Sequence, residues 1–252
     1  LYSDKLFSNL SLIYSDYYYG LNLDFVGFQW DSGIKNYNIK YDFKNYISDN
    51  FKLSYGVNGI YYEFNPGTIR PSNETSGINF DQLDKKYAFE PSVYLSAEQN
   101  ITDKLSLNYG LRYSMFYRLG ASTVNYYTDN NPVTFNPDLQ LYEKATPIAT
   151  EFFSKNKVIQ TYKNLEPRLS VAYQLDDNQS IKGSYNRMTQ YLQLISNTSS
   201  PTPLDVWLPA DNYIKPQLAD QVALGYFRNF KDNAYSLEVE AYYKIVKNRL
   251  DY

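Results

Sequence analysis

The sequence predicts an all-β protein, an antiparallel transmembrane β-barrel present in part. Three observations predict it: apolar and polar residues alternate with period two along most of the 252 residues, short and long links segregate between the alternating runs, and many of the 29 tyrosines gather where those runs end. Period two sends successive side chains to opposite faces of a strand, a pattern that helical spacing cannot produce.

Composition removes most other classes. With 0 Cys and 0 His there is no disulfide framework, thiolate nucleophile, histidine base or His-bearing zinc site. Lys+Arg 24 against Asp+Glu 27 leaves a net charge of -3, which argues against a nucleic-acid partner. The mean hydropathy of -0.54 reads as soluble, and no run approaches the ~18 consecutive apolar residues of a membrane helix. Averaging, however, hides two opposed faces. A genome poor in G and C inflates Asn and Tyr together, but it does not decide where the tyrosines sit.

In chain order, a polar turn at Ser3-Asp4 opens the first run, which ends near Tyr14, Tyr17, Tyr18 and Tyr19. Tyr37, Ile39, Tyr41 and Phe43 then alternate with Asn38, Lys40 and Asp42. After Ser48-Asp49-Asn50 comes the stripe Phe51, Leu53, Tyr55, Val57, Gly59 and Tyr61. Tyr87, Phe89, Pro91, Val93, Leu95 and Ala97 form the next one, closed by Asn100-Ile101-Thr102-Asp103. From Lys104 to Arg118, Leu105, Leu107, Tyr109, Leu111, Tyr113, Met115 and Tyr117 oppose a polar face broken only by Phe116. Leu165 to Leu175 alternates completely and turns at Asp176-Asp177-Asn178. Val222, Leu224 and Tyr226 follow, then the turn Lys231-Asp232-Asn233, and then Leu237, Val239, Ala241, Tyr243 and Ile245 opposite Glu238, Glu240 and Lys244. About nine strands result, many of ten residues or more, beyond the ~5–6 usual in globular proteins.

Asn and Asp suit the tight turns because they bond their own backbone and tolerate left-handed conformations. Between them lie longer links: Tyr17 to Gly33, Phe64 to Lys86, Leu119 to Asn164 and Tyr191 to Pro216. One end of each hairpin pair is short and the other long, as in outer-membrane barrels. The apolar stripes would meet lipid and the polar faces a wet lumen. Charges intruding on the stripes, Glu63, Arg187, Asp220 and Arg228, sit near strand ends, where long side chains reach headgroups or water. An odd strand count and the lack of an export signal lead to the expectation of a piece of a larger barrel.

The series Asn164-Leu165-Glu166-Pro167-Arg168-Leu169-Ser170 and Tyr185-Asn186-Arg187 resembles the barrel of TonB-dependent outer-membrane receptors. Gln190-Tyr191-Leu192, Pro203-Leu204-Asp205-Val206-Trp207-Leu208-Pro209, Ile214-Lys215-Pro216-Gln217-Leu218-Ala219-Asp220-Gln221 and Leu224-Gly225-Tyr226-Phe227-Arg228-Asn229-Phe230 are similar to the version found in Bacteroidota. Ser32-Gly33-Ile34-Lys35-Asn36-Tyr37, Phe64-Asn65-Pro66-Gly67 and the closing Lys247-Asn248-Arg249-Leu250-Asp251-Tyr252 agree. The resemblance implies about nine strands of a 22-stranded barrel, with residues 1–252 a partial barrel domain and the plug and remaining strands absent. It further implies a bacterial outer-membrane location and import of a bulky nutrient, of the glycan, siderophore or peptide class. The implied partners are membrane lipids, the rest of the barrel and plug, TonB through the absent N-terminal part, and a surface lipoprotein.

No catalytic constellation emerges, and no cofactor or metal is expected. Glu238 with Glu240 and Asp176 with Asp177 read as lumen and turn residues rather than acid–base pairs. Asp129-Asn130-Asn131 and Asp211-Asn212 offer oxygens to a hard cation but read as loop polarity, and the sequon Asn73-Glu74-Thr75 as chance. Prolines 201, 203, 209 and 216 stiffen the link that holds Trp207 between Tyr191 and Tyr213. These three aromatics are candidate ligand contacts at the extracellular mouth, although Trp207 could equally anchor its loop on the wall. The Leu119–Asn164 link is the other candidate for ligand specificity. Two further functions stay open: a barrel serving a surface assembly or secretion complex without active import, and a soluble sugar-binding β-protein.

Overall fold

The computed structural model describes residues 4–74, 76–195, 205–231 and 234–250. Ser3, Thr75, Pro201, Pro203, Leu204, the Asp232-Asn233 turn and the closing Asp251-Tyr252 lie outside them. Nine long strands run in chain order: β1 (Leu6–Leu23), β2 (Phe28–Ser48), β3 (Phe51–Pro71), β4 (Lys86–Asn100) and β5 (Leu105–Leu119), then β6 (Val158–Asp176), β7 (Gln179–Gln190), β8 (Gln217–Phe230) and β9 (Tyr235–Lys247). Each pairs antiparallel with the next in sequence order to make one continuous sheet, with the two-residue strand Asp81–Gln82 added beside β3. β1 and β9 form its edges, so the barrel is open. Among the described residues there is no α-helix, only two 3₁₀ turns.

The faces divide as the alternation requires. Val57, Val93, Leu111, Leu169, Val222, Leu224 and Val239 stand exposed on one face, the outer one, Leu224 to 62%. On the opposite, inner face lie Asn58, Ser92, Ser114 and Glu166, all buried. A soluble sandwich would bury the first set and expose the second; this sheet does the reverse. The outer stripe of β5 runs from Leu105 to Tyr117. At ~3.4 Å per residue and a ~40° tilt it covers about 30 Å, the thickness of a bilayer's hydrocarbon layer.

Near the long-link end, the outer face carries an uninterrupted aromatic row. Tyr14, Tyr37, Tyr61, Phe89 and Tyr117 are register partners across β1 to β5. Tyr14 and Tyr37 approach to 5.2 Å between centroids, and Phe89 stacks on Tyr117 at 6.4 Å. One step further along the strands the row becomes charged: Lys35 bridges to Asp16 at 3.3 Å and Lys85 to Glu63 at 2.6 Å. Arg187 grips Asp220 through two bonds of 2.7 and 3.0 Å, with the Tyr185 hydroxyl donating to the same carboxylate. Three of the charges that interrupt the stripes, Glu63, Arg187 and Asp220, are therefore neutralised by partners beyond the apolar band, while Arg228 lies over the Phe230 ring at 4.7 Å.

One expected link is much shorter than the sequence suggested. Tyr17 to Gly33 is almost entirely strand, and only Asp24–Gly27 joins β1 to β2. Gly27 makes that turn possible at φ 69°, where a Cβ would strike Ser76. Two motifs separated in sequence also prove to be one structure. Asp31 pairs with Thr68 but Gly33 with Asn65, so Pro66 and Gly67 of β3 oppose Ser32 alone in a β-bulge. Pro fits there because a bulge releases its ladder bond. Gly67 is needed because a Cβ would lie 2.8 Å from Nε1 of the buried Trp30. The Asn65 carbonyl accepts from Ser32 Oγ at 2.9 Å, and Asp31 pairs with Arg70, which ties off the bulge.

A charge on each face separates a membrane sheet from a soluble one. We expect Val93→Arg, at the middle of the outer stripe, to cost about 2–4 kcal/mol in a bilayer. Asn108→Arg, on the inner face, should cost under about 1 kcal/mol. Denaturant titration of the protein folded into lipid vesicles measures both; equal costs would contradict the assignment of faces.

Candidate functional site at the long-loop end

The inner face changes character along its length. Toward the short turns it is polar, with Ser54 and Asn58 on β3, Ser92 and Ser96 on β4, and Asn108 and Arg112 on β5. Toward the long loops it turns aromatic: Tyr62 and Phe64 of β3, Ala88 of β4 and Phe116 of β5 are all buried. The single break in the β5 alternation, Phe116, is one of these. The cover over them is the link between β7 and β8, whose described ends fold back across the inner face. Leu192–Ile195 pairs with Val206–Pro209 as a short antiparallel ribbon. Tyr19 of β1 donates to the Asp205 carbonyl at 2.6 Å, so this segment reaches from β7 to the opposite end of the sheet.

Tyr191 is the anchor of this segment. Its ring stacks on Phe116 at 4.8 Å with a 6° interplanar angle, and its hydroxyl bonds Ser114 Oγ at 2.7 Å and Asn164 Nδ2 at 2.9 Å. Only 3% of the residue is exposed. Asp211 is the second fixture. Arg118, 1% exposed, reaches its carboxylate at 3.3 Å, and Lys86 Nζ lies 3.6 Å away. Tyr162 donates to the Asp211 carbonyl at 2.7 Å. Arg118 also donates to the Tyr87 and Leu119 carbonyls, which satisfies a guanidinium that would otherwise be costly to bury. Asp211 is thus committed to two cations of the wall. Among the described residues no group of acidic side chains could hold a metal ion.

The three candidate aromatics are not brought together. Tyr191 and Trp207 line one cavity of about 620 Å³, with Tyr62, Glu90, Leu192 and Lys244 among its other walls. Trp207 is partly exposed there, paired across the ribbon with Leu194. Tyr213 points elsewhere: its hydroxyl donates to the Asn125 carbonyl at 2.8 Å and its ring meets Tyr127 edge-on at 5.6 Å. Desolvation holds that phenol above its ordinary pKa. Tyr213 thereby ties the segment to the long β5–β6 link. That link holds two small ribbons, Ser122–Tyr126 with Ala149–Phe153 and Val133–Asn136 with Leu141–Lys144. Phe135 and Tyr142 stand exposed on the second.

The other acidic candidates have ordinary uses. Asp176 accepts from the Asn178 amide at 2.8 Å and from Gln179 Nε2 at 2.6 Å, a turn role. Glu238 and Glu240 lie along the exposed edge strand β9. Asn131 Oδ1 caps the Val133 amide at 3.3 Å.

The sequence matches the family model described as TonB dependent receptor-like, beta-barrel, over residues 2–252. Among solved structures, Copper transporter OprC aligns with a TM-score of 0.60 at 13% identity, covering 97% of this chain and 38% of its own. The FrpB iron transporter from Neisseria meningitidis (F5-1 variant) aligns with a TM-score of 0.50 at 16% identity, covering 88% of this chain and 30% of its own. At such identities the likeness is one of fold. No curated protein matches the chain in sequence.

Loss of either fixture should loosen the folded-in segment without opening the sheet. Asp211→Ala leaves Arg118 short of a partner, at a cost on the order of 1–3 kcal/mol. We expect faster proteolysis between residues 205 and 216 with β-sheet circular dichroism unchanged. Phe116→Ala should cost about 3–5 kcal/mol and produce the same cleavage. Unchanged cleavage in both would mean that neither contact holds the segment.

Proposed function

Because the chain belongs to the TonB-dependent receptor-like β-barrel family, we propose that it forms part of the wall and mouth of an outer-membrane transporter that imports a bulky nutrient through TonB. Residues 1–252 contribute a section of a 22-stranded barrel, and the plug and the TonB contact belong to a longer protein. The observation that carries this reading is the inverted sheet: an apolar outer face bounded by an aromatic row, and a polar inner face narrowed at one end by a folded-in segment. The apolar face suits lipid, the polar face suits a hydrated passage, and the segment sits where an incoming molecule would first meet the wall.

The fold relatives are, by their names, transporters of iron and copper, which favours import over a purely structural barrel. They do not choose the nutrient, and glycan, siderophore and peptide classes all remain within the proposal. The ordered motifs from Gln190 to Phe230 support the Bacteroidota version of the receptor, with a surface lipoprotein as partner. Of the three aromatics, Trp207 is the side chain free to meet a ligand. Tyr191 serves chiefly to seat it, and Tyr213 to couple it to the β5–β6 link.

The test is growth of a host with the parent gene intact or deleted, and with TonB present or removed. Iron, copper, an oligosaccharide or a peptide would in turn be the limiting nutrient. A deletion defect on one nutrient, reproduced by loss of TonB, is the expected result. A deletion that spares growth on every nutrient but dissolves a surface complex would favour the alternative, a barrel serving assembly or secretion.

A further inference from the structure

The charged row beyond the aromatic one frames a cleft of about 560 Å³ on the outer face of the sheet. Its charged side chains stand at outward positions of β1 to β3 and on the link to β4. Such a cleft opens toward the surrounding lipid layer, not toward the lumen. On its floor lies Gly33, whose Cβ would come within 2.6 Å of the Tyr17 carbonyl oxygen.

Two cationic stations mark the ends of this cleft. At the first, β2 brings Lys35 opposite Glu63 from one side, and the start of β4 brings Lys85 from the other at 2.6 Å. At the second, Arg70 grips Asp31, and Asn65 Nδ2 donates to the same carboxylate at 3.2 Å. Asp31 and Lys35 share the outer face of β2 four residues apart. At ~3.3 Å per residue the stations are therefore about 13 Å apart.

Burial separates the signs. The Arg70 side chain is 46% exposed over an Asp31 that is 7% exposed, and Lys85 is 43% exposed over Glu63 at 26%. Lys35 and Asp16 lie level with each other. Carboxylates thus sit beneath the cations they orient, and the surface offered to an arriving group is positive. A lysine carries three N–H donors and an arginine five, so each keeps donors for a second acceptor. None of these cations lies on the edge strand β1. A strand added beside β1 would extend the sheet in its own plane and leave this face outward.

We propose that the cleft seats the headgroup of an outer-leaflet glycolipid, a disaccharide phosphorylated at both ends. One phosphate meets Lys35 and Lys85, the other meets Arg70, and the two linked sugar rings span Gly33 beside the exposed Tyr18 ring. The acyl chains then run over the aromatic row of Tyr14, Tyr37 and Tyr61, which already faces lipid. A phospholipid with a single phosphate cannot reach both stations. The assignment rests on the outer-membrane reading and names the lipid that its outer face meets.

Native mass spectrometry of the detergent-purified full-length receptor tests this with three lipids: lipid A carrying both phosphates, lipid A stripped of phosphate, and phosphatidylethanolamine. We expect the doubly phosphorylated form to be retained about tenfold or more over the other two, since each lost phosphate deletes charged hydrogen bonds. Lys85→Gln, a change outside the strand ladder, should cut that retention about tenfold. Lys52→Gln, which breaks the pair with Glu98 near the short turns, should leave it unchanged. Equal retention of the three lipids, indifference to Lys85→Gln, or an equal loss from Lys52→Gln would overturn the proposal. Displacement of the lipid by inorganic phosphate would reassign the cleft to free phosphate and overturn it too. Any of those results alongside intact TonB-dependent growth would remove this site and leave import standing.

Discussion

A strand crossing a bilayer must find partners for every N–H and C=O within protein, because lipid offers none. That requirement explains the register of this molecule more directly than any side-chain contact. Nine strands pair in sequence order, each antiparallel with the next, over ladders as long as Leu6↔Asn45 to Leu23↔Phe28. Order of this kind needs only local hairpins, and the short Asn- and Asp-bearing turns supply them. Where the ladder is interrupted, at Pro66-Gly67, the break is closed by the Ser32–Asn65 bond and the Asp31–Arg70 pair.

Once the ladder is set, pleating decides everything that follows. Up to the bulge at Pro66-Gly67, which inverts the order at the end of β3, odd positions of β2 to β5 look outward and even positions inward. One choice at each residue therefore assigns it to the apolar band or to the polar inner wall. The folded-in segment exploits a local departure from that rule. At the long-loop end both faces are apolar, because Tyr62, Phe64 and Phe116 occupy inner positions. Uncovered, those rings would face water, and Tyr191 and Ala210 cover them. Arg118 and Lys86 then hold Asp211 at the edge of the cover. Packing and charge thus act on the same short segment from two sides.

The strands and their faces were legible in the sequence because period two depends only on neighbours along the chain. The aromatic row was half legible. Tyr14, Tyr37 and Tyr61 read as strand-end tyrosines, but their alignment with Phe89 and Tyr117 follows from register, which no single run contains. Phe116 appeared as an exception in an otherwise clean stripe, and such an exception is the signal for an inner face that receives cover. The Arg118–Asp211 contact joins residues 93 positions apart and left no local trace. For the same reason Asp211-Asn212 read as loop polarity or a cation site, and Tyr213 as a partner of Trp207 rather than of Asn125. The length of the β1–β2 hairpin was misjudged because Tyr17 to Tyr19 looked like an interface, whereas the strands run past it.

With 0 Cys among its 252 residues the chain adds no competing label site of its own, so the central claim is measurable once any cysteine elsewhere in the full-length protein is replaced. Single cysteines at positions 105 to 119 of β5, each carrying a nitroxide spin label in the full-length protein in lipid vesicles, report collision with dissolved oxygen and with a water-soluble nickel chelate. The predicted result is a period-two profile, with oxygen contact highest at positions 107, 109, 111 and 113 and nickel contact highest at the even positions between them. A flat profile, or one with the two reagents in phase, would contradict a sheet that turns one face to lipid and the other to a hydrated interior.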